Sequence, residues 1–226
     1  MEEPLSSVLE KLYPSGTHVL KHVTSDDFMP LDLSTNNPEL VGLDITQAEV
    51  CETYISTLLK KTGKTVAVGG YLEKRNLYGN SERFQSEAVR NIHLGVDFWT
   101  KAGTAVVAPI KGKIHSFANN SDFGNYGPTV ILEHVAAGIT FYTLYGHLSL
   151  ESFQLWIEGK EIEAGTVIGT LGIAEINVGY APHLHFQIIE DLNGFRGDYP
   201  GVCSEKDFKY YAKNCINPNF LVQLPC

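Results

Sequence analysis

Three short fragments of this sequence concentrate histidine and aspartate among apolar residues. They read His93-Leu94-Gly95-Val96-Asp97, Tyr145-Gly146-His147 and His183-Leu184-His185-Phe186. A catalytic zinc takes three ligands from imidazole and carboxylate and leaves a fourth position for water, whereas structural zinc is usually closed by four ligands, mostly cysteines. No cysteine lies near these fragments. The residue types therefore predict an open metal site, which would acidify water to a pKa of about 7 and polarise a carbonyl oxygen, as amide hydrolysis requires.

The spacing within each fragment places the polar side chains together. Residues two apart in a strand point to the same face, so His183 and His185 should project together while Leu184 faces the core. His93 and Asp97 are four apart, which is same-face spacing in a strand or a helix. A lone histidine is more often a hydrogen-bonded core residue than a ligand. Several imidazoles and a carboxylate buried without a shared partner would leave costly unpaired groups, which favours a metal.

The elements that must position these fragments are short strands. After Asn91 the hydrophobic period changes from helical to alternating, in β-branched or aromatic runs separated by Gly, Asn, Asp and Pro. Strands are predicted at residues 104–109, 113–117, 129–135, 139–145, 166–171 and 183–189. An Ala-Gly-Thr turn followed by a strand occurs twice, at residues 102–106 and 164–168, which hints at two related halves. The sequence therefore predicts a mainly β fold.

The N-terminal part has a different pattern. Residues 1–85 are predicted to form an α/β extension that packs on a second region, residues 86–226. Thr46 and Glu49 have capping-box spacing and open an amphipathic stripe, with Gly63 as the expected stop. The extension is therefore expected to contribute at least one helix that supports the sheet.

Two short helical segments are predicted in the second region. One covers residues 149–156. The other is expected to open at Ser204 and Asp207 and to carry on its apolar side Phe208, Tyr211, Ala212 and Cys215. The predicted fold thus ends in a short C-terminal helix and a tail.

Composition and charge exclude several classes of protein. The 226 residues are 43% hydrophobic and 19% charged, which is sufficient to bury a substantial core. The net charge of −9 has the wrong sign for a protein that binds nucleic acid or anionic lipid. No apolar run approaches the roughly 18 residues of a membrane span. We therefore expect neither a nucleic-acid partner nor a membrane span.

The termini and cysteines bear on the compartment. The chain opens with Met1-Glu2-Glu3-Pro4, which is acidic where a secretory signal is basic, and no apolar region follows. The four cysteines include no C-x-x-C pair and are too sparse for a disulfide framework, so they are expected to be free thiols. These features predict a cytoplasmic protein, with export by an unrecognised route left open.

Taken together, the motifs resemble the lysostaphin-type zinc endopeptidases. The resemblance covers about residues 91–190 and rests on H-x-x-x-D, the later Gly-His, H-L-H-F and the repeated Ala-Gly-Thr turns. It implies the fold of that family, a duplicated hybrid motif of antiparallel sheets that form a groove. It also implies a zinc metalloendopeptidase in which zinc-activated water attacks a peptide carbonyl.

The resemblance also implies roles for five residues. His93, Asp97 and His185 would bind one zinc ion per chain, and His147 and His183 would form the catalytic pair. Which of the two histidines acts as the general base is left open.

Other polar residues precede the first predicted ligand. Members of the family often carry a tyrosine near the oxyanion, upstream of the first ligand. The nearest upstream tyrosine here is Tyr78, which is a candidate for that role. The alternative is that Tyr78 is an ordinary packing or loop tyrosine. Arg75, Arg83 and Arg90 are candidates to meet a substrate carboxylate, with solvated surface arginines as the alternative.

The substrate implied by the family is the peptide part of bacterial peptidoglycan, either glycine bridges or D-Ala–diaminopimelate cross-links. Residues 31–34, 65–69 and 197–202 resemble a peptidase-like module of multidomain proteins that also contain a kinase-like domain and a class III aminotransferase. This second resemblance spans nearly the whole chain. It argues against the usual wall substrate but leaves the site in place, and the predicted substrate is a short peptide, such as a D-amino-acid-containing wall fragment recovered into the cytosol.

Two other functions remain open at this stage. A non-catalytic, metal-containing module would bind a peptide or a partner, although such relatives commonly lose a ligand and this chain has lost none. A sugar-phosphotransfer carrier would use paired histidines, but Asp97 beside them would repel phosphate. The sequence therefore predicts a zinc-dependent hydrolase of short peptides, with the oligomeric state undetermined.

Overall fold

The computed structural model describes residues 3–75, 89–222 and 224. Within these residues the helices are α1 (Leu5–Leu12), α2 (Ala48–Thr62) and α3 (Phe208–Asn214). The strands are β1 (Phe28–Pro30), β2 (Val66–Gly69), β3 (Arg90–His93), β4 (Val96–Trp99), β5 (Ala105–Val107), β6 (Gly112–Asn120), β7 (Gly127–Ala136), β8 (Ile139–Gly146), β9 (Glu161–Ile162), β10 (Val167–Thr170), β11 (His183–Ile189), β12 (Val202–Ser204) and β13 (Cys215–Ile216). The predicted mainly β fold is confirmed.

A nine-stranded sheet forms the centre of the described structure. Its order is β1-β2-β4-β11-β8-β7-β6-β9, with β13 against β11. β1 and β2 run parallel, and the other pairs of this sheet are antiparallel. Two strands of the predicted N-terminal extension therefore join the same sheet as the predicted site. A division of the chain near residue 85 stays a prediction.

The internal repeat has a structural counterpart. The strand after the first Ala-Gly-Thr turn is β5, and the strand after the second is β10. The two pair with each other in a separate antiparallel two-stranded sheet, in which Thr170 lies opposite Ala105. The recurring sequence unit thus forms two strands that pair with each other.

Strand β11 alternates between two faces as its sequence predicts. Leu184 and Phe186 are fully buried in the largest hydrophobic cluster. His185 lies opposite Asp97 of β4 on one side and opposite Gly146 of β8 on the other. Because directly paired residues share a face of an antiparallel sheet, His185 and Asp97 project to the same side.

Helix α2 confirms one predicted element and corrects its start. The helix begins at Ala48, after the N-cap Gln47, and ends at Gly63, whose φ of 69° is left-handed. The Thr46 hydroxyl donates to Asp44 Oδ1 at 2.5 Å instead of capping the helix. The capping-box prediction is therefore wrong, because the Thr46 hydroxyl bonds the Asp44 side chain in a local turn and the helix begins one residue later than predicted.

The C-terminal helix is shorter than its sequence suggests. Ser204 Oγ donates to Asp207 Oδ2 at 2.8 Å before α3 begins. Phe208 is 38% exposed, and Cys215 leaves the helix and pairs in β13 with Ile189 of β11. Tyr211 does pack, partly buried, against a hydrophobic cluster, whereas Phe208 is exposed and Cys215 lies beyond the helix, which ends at Asn214. The segment predicted at 149–156 is a 3-10 helix, Leu150–Leu155.

The described part of the chain contains three of the four cysteines and three α-helices. Cys51, Cys203 and Cys215 are buried free thiols, and Cys226 lies outside the described residues. Among the described residues no helix has the length and apolar character needed to span a bilayer.

Candidate metal centre and active site

The three predicted ligands lie together on one face of the central sheet. His185 Nδ1 is 3.1 Å from Asp97 Oδ1 across the β4–β11 pair. His93 Nε2 approaches from β3, at 3.3 Å from Asp97 Oδ1 and 2.9 Å from His185 Nδ1. All three side chains are buried, and one ligand atom from each lies within 4.8 Å of the others.

His93 and Asp97 meet by a different route from the one their spacing suggests. They do not share an element, since β3 ends at His93 and β4 begins at Val96. Gly95 allows the change of direction. A β carbon there would lie 2.5 Å from the carbonyl oxygen of Phe186 and 2.8 Å from His185 Cε1. Glycine at this position therefore permits the close approach of the His185 ring and the Phe186 carbonyl to the backbone.

The outer ring nitrogens of the two imidazoles have partners of their own. His93 Nδ1 lies 2.9 Å from the carbonyl oxygen of Gly70, and His185 Nε2 lies 3.0 Å from Gln187 Oε1. Because both partners are acceptors, these nitrogens donate, and the tautomer follows from that assignment. The inner nitrogens then carry lone pairs that converge with an Asp97 oxygen. This donor set fits a cation, and it matches the three protein ligands of a catalytic zinc.

Asp97 has a buried cationic partner that the sequence did not predict. Arg75 Nη1 donates to Asp97 Oδ2 at 2.5 Å, and the Arg75 side chain is 0% exposed. Arg75 also contacts the Glu73 carboxylate and donates to the carbonyl oxygen of Gly69 at 3.2 Å. Burial alone would raise the pKa of Asp97, but His93, Arg75 and His183 hold it well below its usual value. Asp97 is therefore ionised and turned toward the imidazoles.

The prediction that Arg75 meets a substrate carboxylate or lies on the surface is wrong. Arg75 is neither a surface residue nor free to meet a substrate, because it is committed to the ligand Asp97. Arg90 donates to the carbonyl oxygen of Val202 and lines the cavity. Arg83 and Tyr78 lie outside the described residues.

Replacing Arg75 by glutamine should weaken zinc affinity about 10- to 100-fold, as loss of an outer partner of a metal ligand commonly does. The physical reason is that Asp97 Oδ2 loses the cation that holds it in place. Competition with a chromophoric chelator at fixed pH would measure the change. Arg196→Gln, which removes an exposed pair with Glu158, is the control. Equal zinc affinity for both variants would contradict this role.

His183 presents one nitrogen to the site. Its Nδ1 donates to the carbonyl oxygen of Ala181 at 2.7 Å, which leaves the Nε2 lone pair available, 4.0 Å from Asp97 Oδ1. Burial lowers the pKa of His183 to about 4. His183 is therefore a neutral proton acceptor at pH 7.

His147 follows β8 directly and has an unusual backbone. Its φ of 63° is left-handed, a conformation held by its N–H bond to the Tyr126 carbonyl at 2.8 Å. Its ring centroid lies 4.1 Å from that of His183. Burial, followed by the neighbouring imidazoles, puts the pKa of His147 well below its usual value. Its Nδ1 is buried and has no hydrogen-bond partner in the described part of the chain, in contrast to the outer nitrogens of the other three imidazoles.

The five side chains line one cavity of about 230 Å³. Its other walls include Tyr126, Tyr180, Tyr199 and Asp198. Tyr126 Oη lies 3.4 Å from His185 Nε2. Sequence reasoning missed Tyr126 because its contact depends on the packing of a distant loop. Gln187 also went unnoticed, although its position two residues after His185 on the same strand face was a usable signal.

All five predicted residues thus share a buried cavity with a metal-binding donor set. The family model described as Peptidase family M23 matches residues 91–196. This M23 segment contains the five site residues, whereas Gly70 and Arg75 precede it. The match supports a peptidase.

Two relatives show the same similarity. A protein of Haemophilus influenzae described as an uncharacterized metalloprotease is 35% identical over 102 residues, covering 45% of this chain and 19% of its own length. The DD-carboxypeptidase/endopeptidase Mpg of Neisseria meningitidis is 38% identical over 96 residues, covering 42% of this chain and 20% of its own. The chain thus spans about a fifth of the length of the curated relatives it matches.

One solved structure is similar to about half of this chain. The catalytic domain of the antimicrobial peptidase lysostaphin from Staphylococcus simulans aligns with a TM-score of 0.36 and 26% identity. The alignment covers 54% of this chain and 80% of that domain. None of these three proteins is described as a kinase–aminotransferase fusion, so that finer resemblance stays a prediction.

Proposed function

We propose that the M23 segment is a lysostaphin-type zinc metalloendopeptidase that hydrolyses amide bonds in short peptides. One observation carries this proposal. Two imidazole lone pairs and a carboxylate oxygen converge within 4.8 Å, beside two further imidazoles in the same cavity. Three ligands with adjacent proton acceptors are the inventory of a metal-assisted hydrolase.

The zinc ion would be held by His93 Nε2, Asp97 Oδ1 and His185 Nδ1. When bound there, zinc would supply Lewis-acid polarisation of a carbonyl oxygen and would acidify water. The buried pair of Asp97 with Arg75 would keep the carboxylate ionised and aimed at the ion. The outer hydrogen bonds of the two histidines would hold their lone pairs toward it.

His183 and His147 would move the protons of the reaction. Both are neutral at pH 7, so either is ready to accept a proton from the attacking water. A protonated imidazole beside the leaving group then returns that proton to the departing amine. The hydrogen bond to the Ala181 carbonyl orients the His183 ring, so that Nε2 is directed into the cavity.

Peptidoglycan-type peptides are the proposed substrate. The relative named as a DD-carboxypeptidase/endopeptidase supports this class. Tyr126, Tyr180 and Tyr199 offer flat walls for a peptide backbone, and Arg90 offers a cation at the same cavity. A wall fragment recovered into the cytoplasm is the form of substrate that the sequence favoured.

The test is cleavage of defined peptides by the zinc-loaded protein. We expect hydrolysis of either pentaglycine or a D-Ala–diaminopimelate cross-linked muropeptide, loss of activity with 1,10-phenanthroline and recovery with added zinc. Mass spectrometry of the products identifies the bond. Saturable binding of the same peptides without cleavage, at full zinc occupancy, would contradict the enzyme and support a non-catalytic peptide-binding module.

A further inference from the structure

A second cavity lies next to the candidate active site and shares no lining residue with it. Its volume is about 530 Å³, against about 230 Å³ for the active-site cavity. The apolar lining comes from Ile55 and Leu59 of α2 and from Trp99, Ala181 and Pro182. Cavities of this size and lining are typical of sites for small organic ligands.

The charges around the second cavity are mainly positive. Lys60, Lys64 and Lys101 line it, together with the single carboxylate of Glu52. Within the described part of the chain these lysines form no ion pair, and Lys64 donates to the carbonyl oxygen of Asp26. The chain as a whole carries −9. A local excess of cations in an acidic protein is complementary to an anionic ligand.

Trp99 adds a buried donor at the same place. The residue is 1% exposed, and its Nε1 has no hydrogen-bond partner among the described residues. A buried N–H group left without an acceptor costs free energy in the folded protein. Because this nitrogen is shielded from solvent, a ligand reaches it only if the lining shifts, and the residue contributes to the lining of the second cavity.

Two contacts connect the second cavity with His183. The indole ring of Trp99 stacks on the His183 imidazole, with centroids 4.0 Å apart and planes 20° apart. Ala181 accepts the His183 Nδ1 hydrogen bond at 2.7 Å. Both Trp99 and Ala181 line the second cavity. A ligand there would therefore touch the two groups that orient His183.

We propose that the second cavity is a binding site for a small carboxylate with an apolar body, and that its occupancy shifts the position of His183. The apolar body packs against α2 and Pro182, while the carboxylate meets the lysines. The coupling free energy is the difference between the free energies of ligand binding to the protein with His183 in the position described here and with His183 shifted. This inference does not depend on the peptidase proposal, because binding and ring position are measurable without turnover.

The first experiment compares 4-phenylbutyrate with its neutral analogue 4-phenylbutanamide. Tryptophan fluorescence is recorded in a Trp156→Phe background, which leaves Trp99 as the single tryptophan of the two in the chain. We expect a saturable change with the carboxylate and at least about fivefold weaker binding of the amide, as expected from the loss of charge interactions. Equal binding of both compounds, or no saturation with the carboxylate, would overturn the proposal.

Matched variants and a second readout complete the test. The double variant Lys60→Gln, Lys101→Gln should bind the carboxylate about tenfold more weakly, whereas Lys61→Gln, on the same helix but outside the lining, should bind it normally. Ligand binding should also move the ¹⁵N resonances of the His183 ring but not those of the buried His134 ring. Equal affinities of these variants would contradict the proposed binding site. Binding without a shift of the His183 resonances would contradict the proposed coupling.

Discussion

Alanine at position 185 should abolish zinc binding, whereas the wild-type chain should hold close to one zinc ion per molecule. The substitution removes His185 Nδ1 and leaves two of the three converging ligand atoms, His93 Nε2 and Asp97 Oδ1. Catalytic zinc sites take three protein ligands, so we expect an affinity loss of at least about 100-fold. Elemental analysis of both purified proteins after removal of loosely bound metal measures the outcome.

The control for this measurement is His134→Ala. His134 is as buried as His185, but its ring bonds the carbonyl oxygen of Lys111 and the hydroxyl of Thr143, away from the site. This variant should keep its zinc, so that loss of a buried imidazole is separated from loss of a ligand. A wild-type protein that takes up no zinc, or a His185→Ala protein that keeps it, would refute the proposed metal centre.

Removing the His147 imidazole should have the opposite pattern, with zinc retained and turnover lost. His147 lies outside the three-residue donor set, and its ring stands 4.1 Å from that of His183. Proton transfer by a positioned imidazole contributes roughly 100- to 10,000-fold to a rate, so we expect His147→Ala to lower kcat by that amount. Zinc content and kcat on the cleaved peptide would be measured on the same preparation.

His115→Ala is the matched control for turnover. Its ring contacts Ser116 and Tyr142 and is not part of the cavity. It should keep both zinc and kcat. Unchanged turnover in His147→Ala would take that residue out of the mechanism, and loss of zinc from it would make it a ligand instead.

The parts of the site that follow a local rule could be predicted from sequence. The alternation of His183 and His185 with Leu184 needs only the two-residue period of a strand, and the structure has it. The strands around them were also predictable, because turn residues separate β-branched runs. The proximity of His93 and Asp97 was anticipated as well, although the chain reaches it through Gly95 and a change of strand.

The parts that depend on strand pairing could not be predicted in this way. Arg75 reaches Asp97 across 22 residues of sequence, and this contact requires β2 to pair with β4. The carbonyl partner of His93, at Gly70, is placed by the same pairing. Every residue has a backbone carbonyl, so the sequence does not indicate which one accepts a hydrogen bond from a histidine. The sequence also does not distinguish a buried arginine from one on the surface. The start of α2 was missed for a similar reason, because Asp44 competes for the Thr46 hydroxyl.

The pairing of β2 with β4 also bears on which part of the chain is needed to build the candidate site. The five functional side chains all fall inside residues 91–196, yet the carbonyl that aims His93 and the guanidinium that anchors Asp97 come from the chain before them. Grafting that segment alone into another protein would transfer the ligands without the residues that aim them. In this chain, residues that precede the M23 segment therefore supply contacts to two of the three predicted metal ligands, His93 and Asp97.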